Sequence, residues 1–228
     1  MLTAAELQIL ATSFAVASRA LAGALPFAIA IAFALSSPRL PGRLFLDGIT
    51  HLPLMLPPVL VGFLLLVIFG RRGFIGAPLQ SLFGVHLAFT TAGAALATAV
   101  MIFPLLVRNI RLAFEATDVR LFEAAAMLRA GPWDRFLTIA LPLAGPGILA
   151  GAVTAFAAAM GEFGAVITFA ANIPGQTQTL PLAIYTVLQQ PGGEAQAMRL
   201  AVMSFAVAMA GLASAEFLQR RAQKRLAG

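Results

Sequence analysis

The 228-residue sequence predicts an all-α integral membrane protein with five transmembrane helices in one domain, residues 1–228. Two observations carry this. Of the residues, 60% are hydrophobic and 11% charged, against about 45–50% and about 25% in soluble domains. Uncharged runs at 20–38, 48–70, 87–107 and 136–161 each reach or approach the roughly 20 residues a spanning helix needs. Lipid is the solvent that accepts such a surface.

The first crossing is placed at 12–35, containing Arg19 and Pro26 and stopped by Ser36-Ser37-Pro38, because proline disfavours helix at the residue before it. Arg19 then lies near one membrane face and anchors there. The first eleven residues hold no Lys or Arg, so they read as the lead-in to a retained helix, without the basic start of a cleaved signal. The second crossing, 49–69, contains Pro53, Pro57 and Pro58, which must kink or break it. The third covers 87–107, the fourth 136–160 and the fifth 197–218. Between the last two, the uncharged run 163–171 is expected to continue helix four, and 180–188 to form a short helix at the membrane surface.

Orientation follows from the cations, since cytoplasmic loops retain Lys and Arg. Arg39 and Arg43, then Arg108, Arg111, Arg120, Arg129 and Arg135, then Arg220, Arg221, Lys224 and Arg225 place eleven of fifteen on one side. Arg71, Arg72, Arg199 and Arg19 remain on the other. The N-terminus is therefore expected outside and the C-terminus inside. Gly147, Gly151, Ala155 and Ala159 recur at four-residue spacing in helix four, a face that lets another helix approach closely in lipid.

The same sequence excludes several chemistries. The net charge of +6 is spread over short loops, whereas a nucleic-acid binder gathers its cations into a stripe. There is no cysteine, hence no disulfide or thiolate metal site. A P-loop needs a lysine on the phosphates, and the only lysine is Lys224 in the tail. Gly145-Pro146-Gly147 sits inside a span with no strand before it, unlike a dinucleotide fingerprint. His51 and His86 lack metal-ligand spacing, and no G-x-S-x-G or H-E-x-x-H supports a membrane hydrolase. Ion-coupled carriers keep ionisable groups inside their spans, and only Arg19 and Glu162, near the outer ends, could serve, so a secondary transporter is weakened to a remote alternative and not excluded. No catalytic, cofactor or metal site is read.

The informative segment is the loop at about 108–135, with its continuation to Pro142. Residues 115–142 read as a short helix capped by Thr117 or Asp118 and ended at Gly131-Pro132. Leu121, Ala124, Ala125 and Leu128 give it a small apolar face. In a loop exposed to water such a face is expected to have a protein partner.

Glu123-Ala124-Ala125, the glycine eight positions on at Gly131, and the closing Ile139-Ala140-Leu141-Pro142 resemble the EAA loop of importer permeases of the ATP-binding cassette superfamily. Arg129 departs from that pattern, which has a glycine there, so the turn is assigned to Ala130-Gly131. The stretch from His51 to Gly62, and Gly161-Glu162-Phe163-Gly164, are similar to segments of molybdate and sulfate permeases. Gly70-Arg71-Arg72-Gly73, Asn172-Ile173-Pro174-Gly175 and Pro191-Gly192-Gly193-Glu194 favour the molybdate branch, with tungstate and sulfate permeases as close alternatives.

The resemblance implies a type I importer permease fold in the bacterial inner membrane that transports by alternating access and catalyses nothing itself. It implies two permease copies forming the pore, an ATP-binding subunit on the cytoplasmic face and a soluble binding protein outside. Glu123, Ala124, Ala125, Gly131, Pro132, Ile139, Leu141 and Pro142 would couple to the ATPase. Glu123 is expected to orient the helix by bonding nearby backbone or Arg groups. Gly161, Glu162, Phe163 and Gly164 would lie at the gate.

Overall fold

The computed structural model describes residues 3–38 and 40–226, the side chains of 212, 215 and 218–226 excepted. Arg39 and the side chains of Arg220, Arg221, Lys224 and Arg225, which weigh in the orientation expected from the sequence, lie outside the described residues. All regular structure among the described residues is helical.

Helix α1, Ala4–Ser36, starts well before Thr12 because Thr3 and Glu6 form a capping box. The Thr3 hydroxyl accepts the Glu6 amide at 3.2 Å while Glu6 Oε2 accepts the Thr3 amide at 2.8 Å. Two of the helix's unsatisfied N–H groups are thereby used. Pro26 is accommodated inside, and the helix ends at Ser37, ahead of Pro38.

The second expected crossing is broken into α2, Arg43–Met55, and α3, Pro58–Phe69, which meet at 112°. Leu56 and Pro57 are extended between them, since Pro57 and Pro58 can neither donate the helical bonds nor leave the preceding residue helical. A short helix that the apolar pattern does not announce, α4, Gly76–Phe83, closes on Gly84 at φ +66°. Helix α5, Thr91–Glu115, is capped by the Thr90 hydroxyl on the Gly93 amide at 3.0 Å and passes through Pro104.

The loop then folds as α6, Val119–Met127, and α7, Pro132–Arg135. A π-helical segment, Phe136–Ala140, joins α7 to α8, Leu141–Met160. Residues 163–171 do not continue this helix. The chain breaks at Gly161 and restarts as α9, Gly164–Ala170. Next come α10, Leu180–Leu188, with Leu180, Leu182, Ala183 and Val187 buried, and α11, Glu194–Leu226.

By length and composition, Ala4–Ser36, Thr91–Glu115 and Pro132–Met160 can cross a membrane, and the bent pair α2–α3 makes a fourth candidate. The fifth expected crossing, 197–218, falls within α11, which is not among these candidates and whose side chains at 212, 215 and 218–226 lie outside the described residues.

Lipid offers little hydrophobic drive for helix association, so packing rests on close backbone approach. Ala20, Ala24, Ala28 and Ala32, all at most 5% exposed, form a four-residue stripe on α1 that meets α5 and α8. The stripe expected on α8 is present too, with Gly151, Ala155 and Ala159 buried. A Cβ at Gly147 would fall 2.4 Å from the Ala113 Cβ on α5, and one at Gly151 would lie 3.0 Å from the Asn109 Cβ.

Polar ties fix the two ends of the bundle. At one, the almost wholly buried Glu6 carboxylate takes the Arg199 guanidinium at 2.9 Å, and the Ser13 hydroxyl accepts the Leu180 amide at 2.8 Å. At the other, Arg111 bridges Glu115 at 2.8 Å and Asp47 at 3.1 Å, and Arg43 joins Glu115 at 3.3 Å.

Substituting Gly147→Leu should force α5 and α8 apart, costing about 1–3 kcal/mol as overpacking does. Thermal unfolding in detergent, followed by size-exclusion chromatography, checks this. Gly145→Ala, whose Cβ meets nothing within 4 Å, should leave the midpoint at or slightly above the parent value.

Candidate functional site: a docking helix and a paired helix break

Helix α6 begins at Asp118, whose carboxylate accepts the Arg120 amide at 2.9 Å, so the acid of the two expected caps is the one used. Phe122 turns inward and packs against the bundle core, while Leu121 and Leu128 are exposed, Leu128 to 84%. Ala124 is exposed and Ala125 half-buried. The expected apolar face is therefore presented outward, with Ala124 at its open side and Ala125 nearer the bundle. Among the described residues the exposed Glu123 makes no hydrogen bond or ion pair. This corrects the expectation that it bonds backbone or Arg groups nearby: the acids that pair with arginine at this end are Asp47 and Glu115.

The turn after α6 also differs from the expectation. Arg129 itself takes the left-handed conformation, at φ +60°. Its amide donates to the Ala126 carbonyl and the Ala130 amide donates to the Ala125 carbonyl, each at 3.0 Å. These are the two bonds of a Schellman motif, whose left-handed residue is most often glycine. The hydrogen bonds hold an L-residue where it costs roughly 1–2 kcal/mol. Gly131 has an ordinary φ of −68° and open space around its Cβ position, so the backbone here does not demand glycine.

Pro132 opens α7, and Trp133 is exposed to 75%. Trp133 meets Phe136 edge-on, with centroids 5.9 Å apart. Phe136 in turn lies against Phe33 of α1 at 4.7 Å, and Phe33 against Phe114 of α5 at 5.3 Å. Such pairs contribute about 0.5–1.5 kcal/mol each beyond area burial. They fasten the start of the α8 span to α1 and α5.

Pro142 explains the π segment that follows. In a regular α-helix its ring would strike the carbonyl four residues back, at Thr138, and it has no N–H to bond that carbonyl. The helix widens instead, and the Leu141 amide donates to the Phe136 carbonyl five residues back. Ile139, Leu141 and Pro142 thus mark a one-residue expansion between the loop and the span.

At the far end of α8 lies the Gly161-Glu162-Phe163-Gly164 break. Glu162 Oε1 accepts the Ala165 amide at 2.9 Å. Burial pushes its carboxyl above the ordinary range, and the amides of Ala165, Phe163 and Gly164 oppose that rise. Phe163 lies against Tyr185 of α10, with centroids 5.2 Å apart. Gly164 faces Pro58, where a Cβ would come within 2.6 Å of the proline ring, and Gly62 faces Ala165 and Thr168 with no more room. The break after α8 and the break between α2 and α3 are packed directly on each other. Gly161 has no comparable constraint. Beyond α9, Ala171 sits at φ +59°, ψ −174°, held by the Thr177 hydroxyl donating to its carbonyl at 2.9 Å.

The sequence matches the family described as "Binding-protein-dependent transport system inner membrane component" over residues 24–227. The chain belongs to that family. It is 53% identical over 225 residues to the molybdenum transport system permease protein ModB of Escherichia coli K12, covering 99% of this chain and 98% of that protein. The ModB protein of Haemophilus influenzae is 46% identical, covering 97% and 96%. A chloroplastic sulfate permease of Chlamydomonas reinhardtii is 36% identical over 82% of this chain and 50% of its own length. Among solved structures, a bacterial alginate ABC transporter in complex with its pentasaccharide-bound periplasmic protein superposes with a TM-score of 0.75 at 17% identity, covering 94% of this chain and 78% of that one. An amino acid ABC transporter superposes with a TM-score of 0.65, also at 17% identity, covering 95% and 94%. The fold is that of an ABC importer permease.

Arg129→Gly should remove the left-handed penalty while adding glycine's entropic cost of about 0.5–1 kcal/mol. A net gain of up to about 1 kcal/mol is expected, read as a raised thermal midpoint. Arg129→Val, β-branched at the same φ, should lower it.

Proposed function

We propose that the chain is the permease subunit of an ATP-driven molybdate importer of the bacterial inner membrane, working as a homodimer. It crosses five times, with its N-terminus periplasmic and its C-terminus cytoplasmic. A separate ATP-binding subunit engages α6, and a periplasmic binding protein delivers the anion. The observation that carries this reading is α6 itself: a helix hung on the bundle by Phe122, with Leu121, Ala124 and Leu128 facing outward and Glu123 uncommitted. An apolar surface of this kind, rimmed by charge, suits a protein groove better than water. Molybdate is favoured over sulfate by the full-length similarity to the molybdenum permeases of E. coli and H. influenzae.

The mechanism follows from the connections. ATP binding closes the ATPase pair and moves α6 and α7 with it. The π segment at Phe136–Ala140 receives that motion and passes it into α8. The other end of α8 is the break at Gly161–Gly164, seated on Pro58 and Gly62. Movement of α8 therefore acts on both helix breaks together, and their separation opens the path to one side. Ala124, Ala125, Gly131 and Pro132 form the docking surface, Ile139, Leu141 and Pro142 the hinge, and Glu162, Phe163 and Gly164 the gate. No hydrolytic chemistry is assigned to this chain.

Proteoliposomes holding the assembled importer, with ATP enclosed on the side of the ATP-binding subunit and the binding protein on the other, test the reading. ATP-dependent uptake should require the binding protein and accept molybdate and tungstate, which share charge and nearly share size. Sulfate, being smaller, should be a poor substrate. Sulfate uptake matching that of molybdate would move the assignment to a sulfate permease, and uptake without ATP would defeat the importer reading altogether.

A further inference from the structure

Helices α1, α2 and α5 enclose an open groove of about 720 Å3. Its lining is apolar, with Phe27 and Ile31 from α1, Ile49 from α2 and Phe103 from α5 among the wall residues, and among the described residues only Arg19 and Thr50 in it are polar. From Arg19 to Ile31 the groove follows twelve residues of α1, about 18 Å at 1.5 Å per residue. That is close to half the ~30 Å hydrocarbon thickness, the depth of one leaflet. Arg19 and Ala92, the second residue of α5, both line the groove. The Arg19 side chain is exposed and makes no hydrogen bond or ion pair among the described residues.

We infer that this groove is a phospholipid site, with an acyl chain along Phe27, Ile31 and Phe103 and the lipid phosphate on the Arg19 guanidinium. The inference rests on the membrane placement of the bundle and not on what the importer transports. An occupant must be apolar along its length and anionic at one end. A second copy of the chain, docked about an axis along the membrane normal, would offer its acids at the depths they have here. Glu6, well beyond Arg19 along α1, is committed to Arg199, and Asp47 and Glu115 at the opposite end are committed to Arg111. Glu162 is turned onto the Ala165 amide. A hydrated oxyanion would meet one cation and an apolar wall that cannot replace its water. A phosphodiester with a hydrocarbon tail satisfies both parts, and a long Arg side chain at a span end reaches the headgroup level readily.

Native mass spectrometry of the importer purified in mild detergent tests the assignment. One phospholipid per permease copy should be retained by the parent and reduced at least fivefold by Arg19→Leu. Gly23→Phe should do the same with the cation intact, since Gly23 lines the groove and its Cβ position meets nothing within 4 Å. A second measurement needs no variant. Adding phosphatidylglycerol to the delipidated parent should raise its thermal midpoint, whereas glycerol 3-phosphate should not. Equal lipid retention in all three proteins, or equal stabilisation by the soluble phosphate, would overturn the site. Dissociation of the permease pair in Gly23→Phe with lipid retained would mean that a second copy covers the groove. Loss of uptake in Arg19→Leu with lipid retained would place Arg19 on the anion path.

Discussion

Inside a bilayer every backbone N–H and C=O has to be satisfied by the protein, and this chain faces that constraint while carrying 14 prolines in 228 residues. Each proline removes a donor. Where one occurs singly inside a long helix, at Pro26 or Pro104, the helix runs through. Where two stand together at Pro57 and Pro58, the span breaks and turns by 112°. At Pro142 the compensation is a π-helical turn. The irregular places of the fold are thus set by backbone chemistry, and they are the places proposed above as hinge and gate.

The close contacts follow from the same solvent. Without a strong hydrophobic drive between helices, stability rests on backbone proximity, which small residues permit. The alanine stripe of α1 and the Gly147–Ala113 approach make α1, α5 and α8 a rigid unit. Phe33, Phe114 and Phe136 then join that unit to the loop end. In the mechanism proposed above, such a unit with one softened joint would act as a lever, with motion of α6 and α7 concentrated in the joint.

Much of this was legible in the sequence. The uncharged runs locate α1, α5 and α8, the paired prolines announce the break, and Asp118 and the Glu-Ala-Ala segment place α6. The earlier start of α1 was also written there, in Thr3 and Glu6, as a capping box outside the apolar window. The glycines of 161–164 carried a break signal that the apolar run 163–171 obscured. Other features depend on contacts that pattern alone does not give. The left-handed turn fell on Arg129 because two hydrogen bonds from Ala130 and Arg129 fix it there, against the local preference that points to Ala130-Gly131. Glu123 was expected to be satisfied within the chain, but the acids that hold Arg43 and Arg111 at this end are Asp47 and Glu115. Nor does sequence spacing reveal that Gly164 meets Pro58, more than a hundred residues earlier.

The central claim is that the widened turn before Pro142 links the docking helix to the gate. Pro142→Ala removes the reason for that turn. A return to regular α-helix would rotate α7 against α8 by about 100°, one residue's share of a 3.6-residue turn. The direct measurement is ATPase capture and molybdate uptake on the same reconstituted complexes. The account predicts parent-level capture of the ATP-binding subunit by Pro142→Ala with uptake per ATP hydrolysed reduced at least tenfold. Parent-level uptake per ATP in that variant would contradict it.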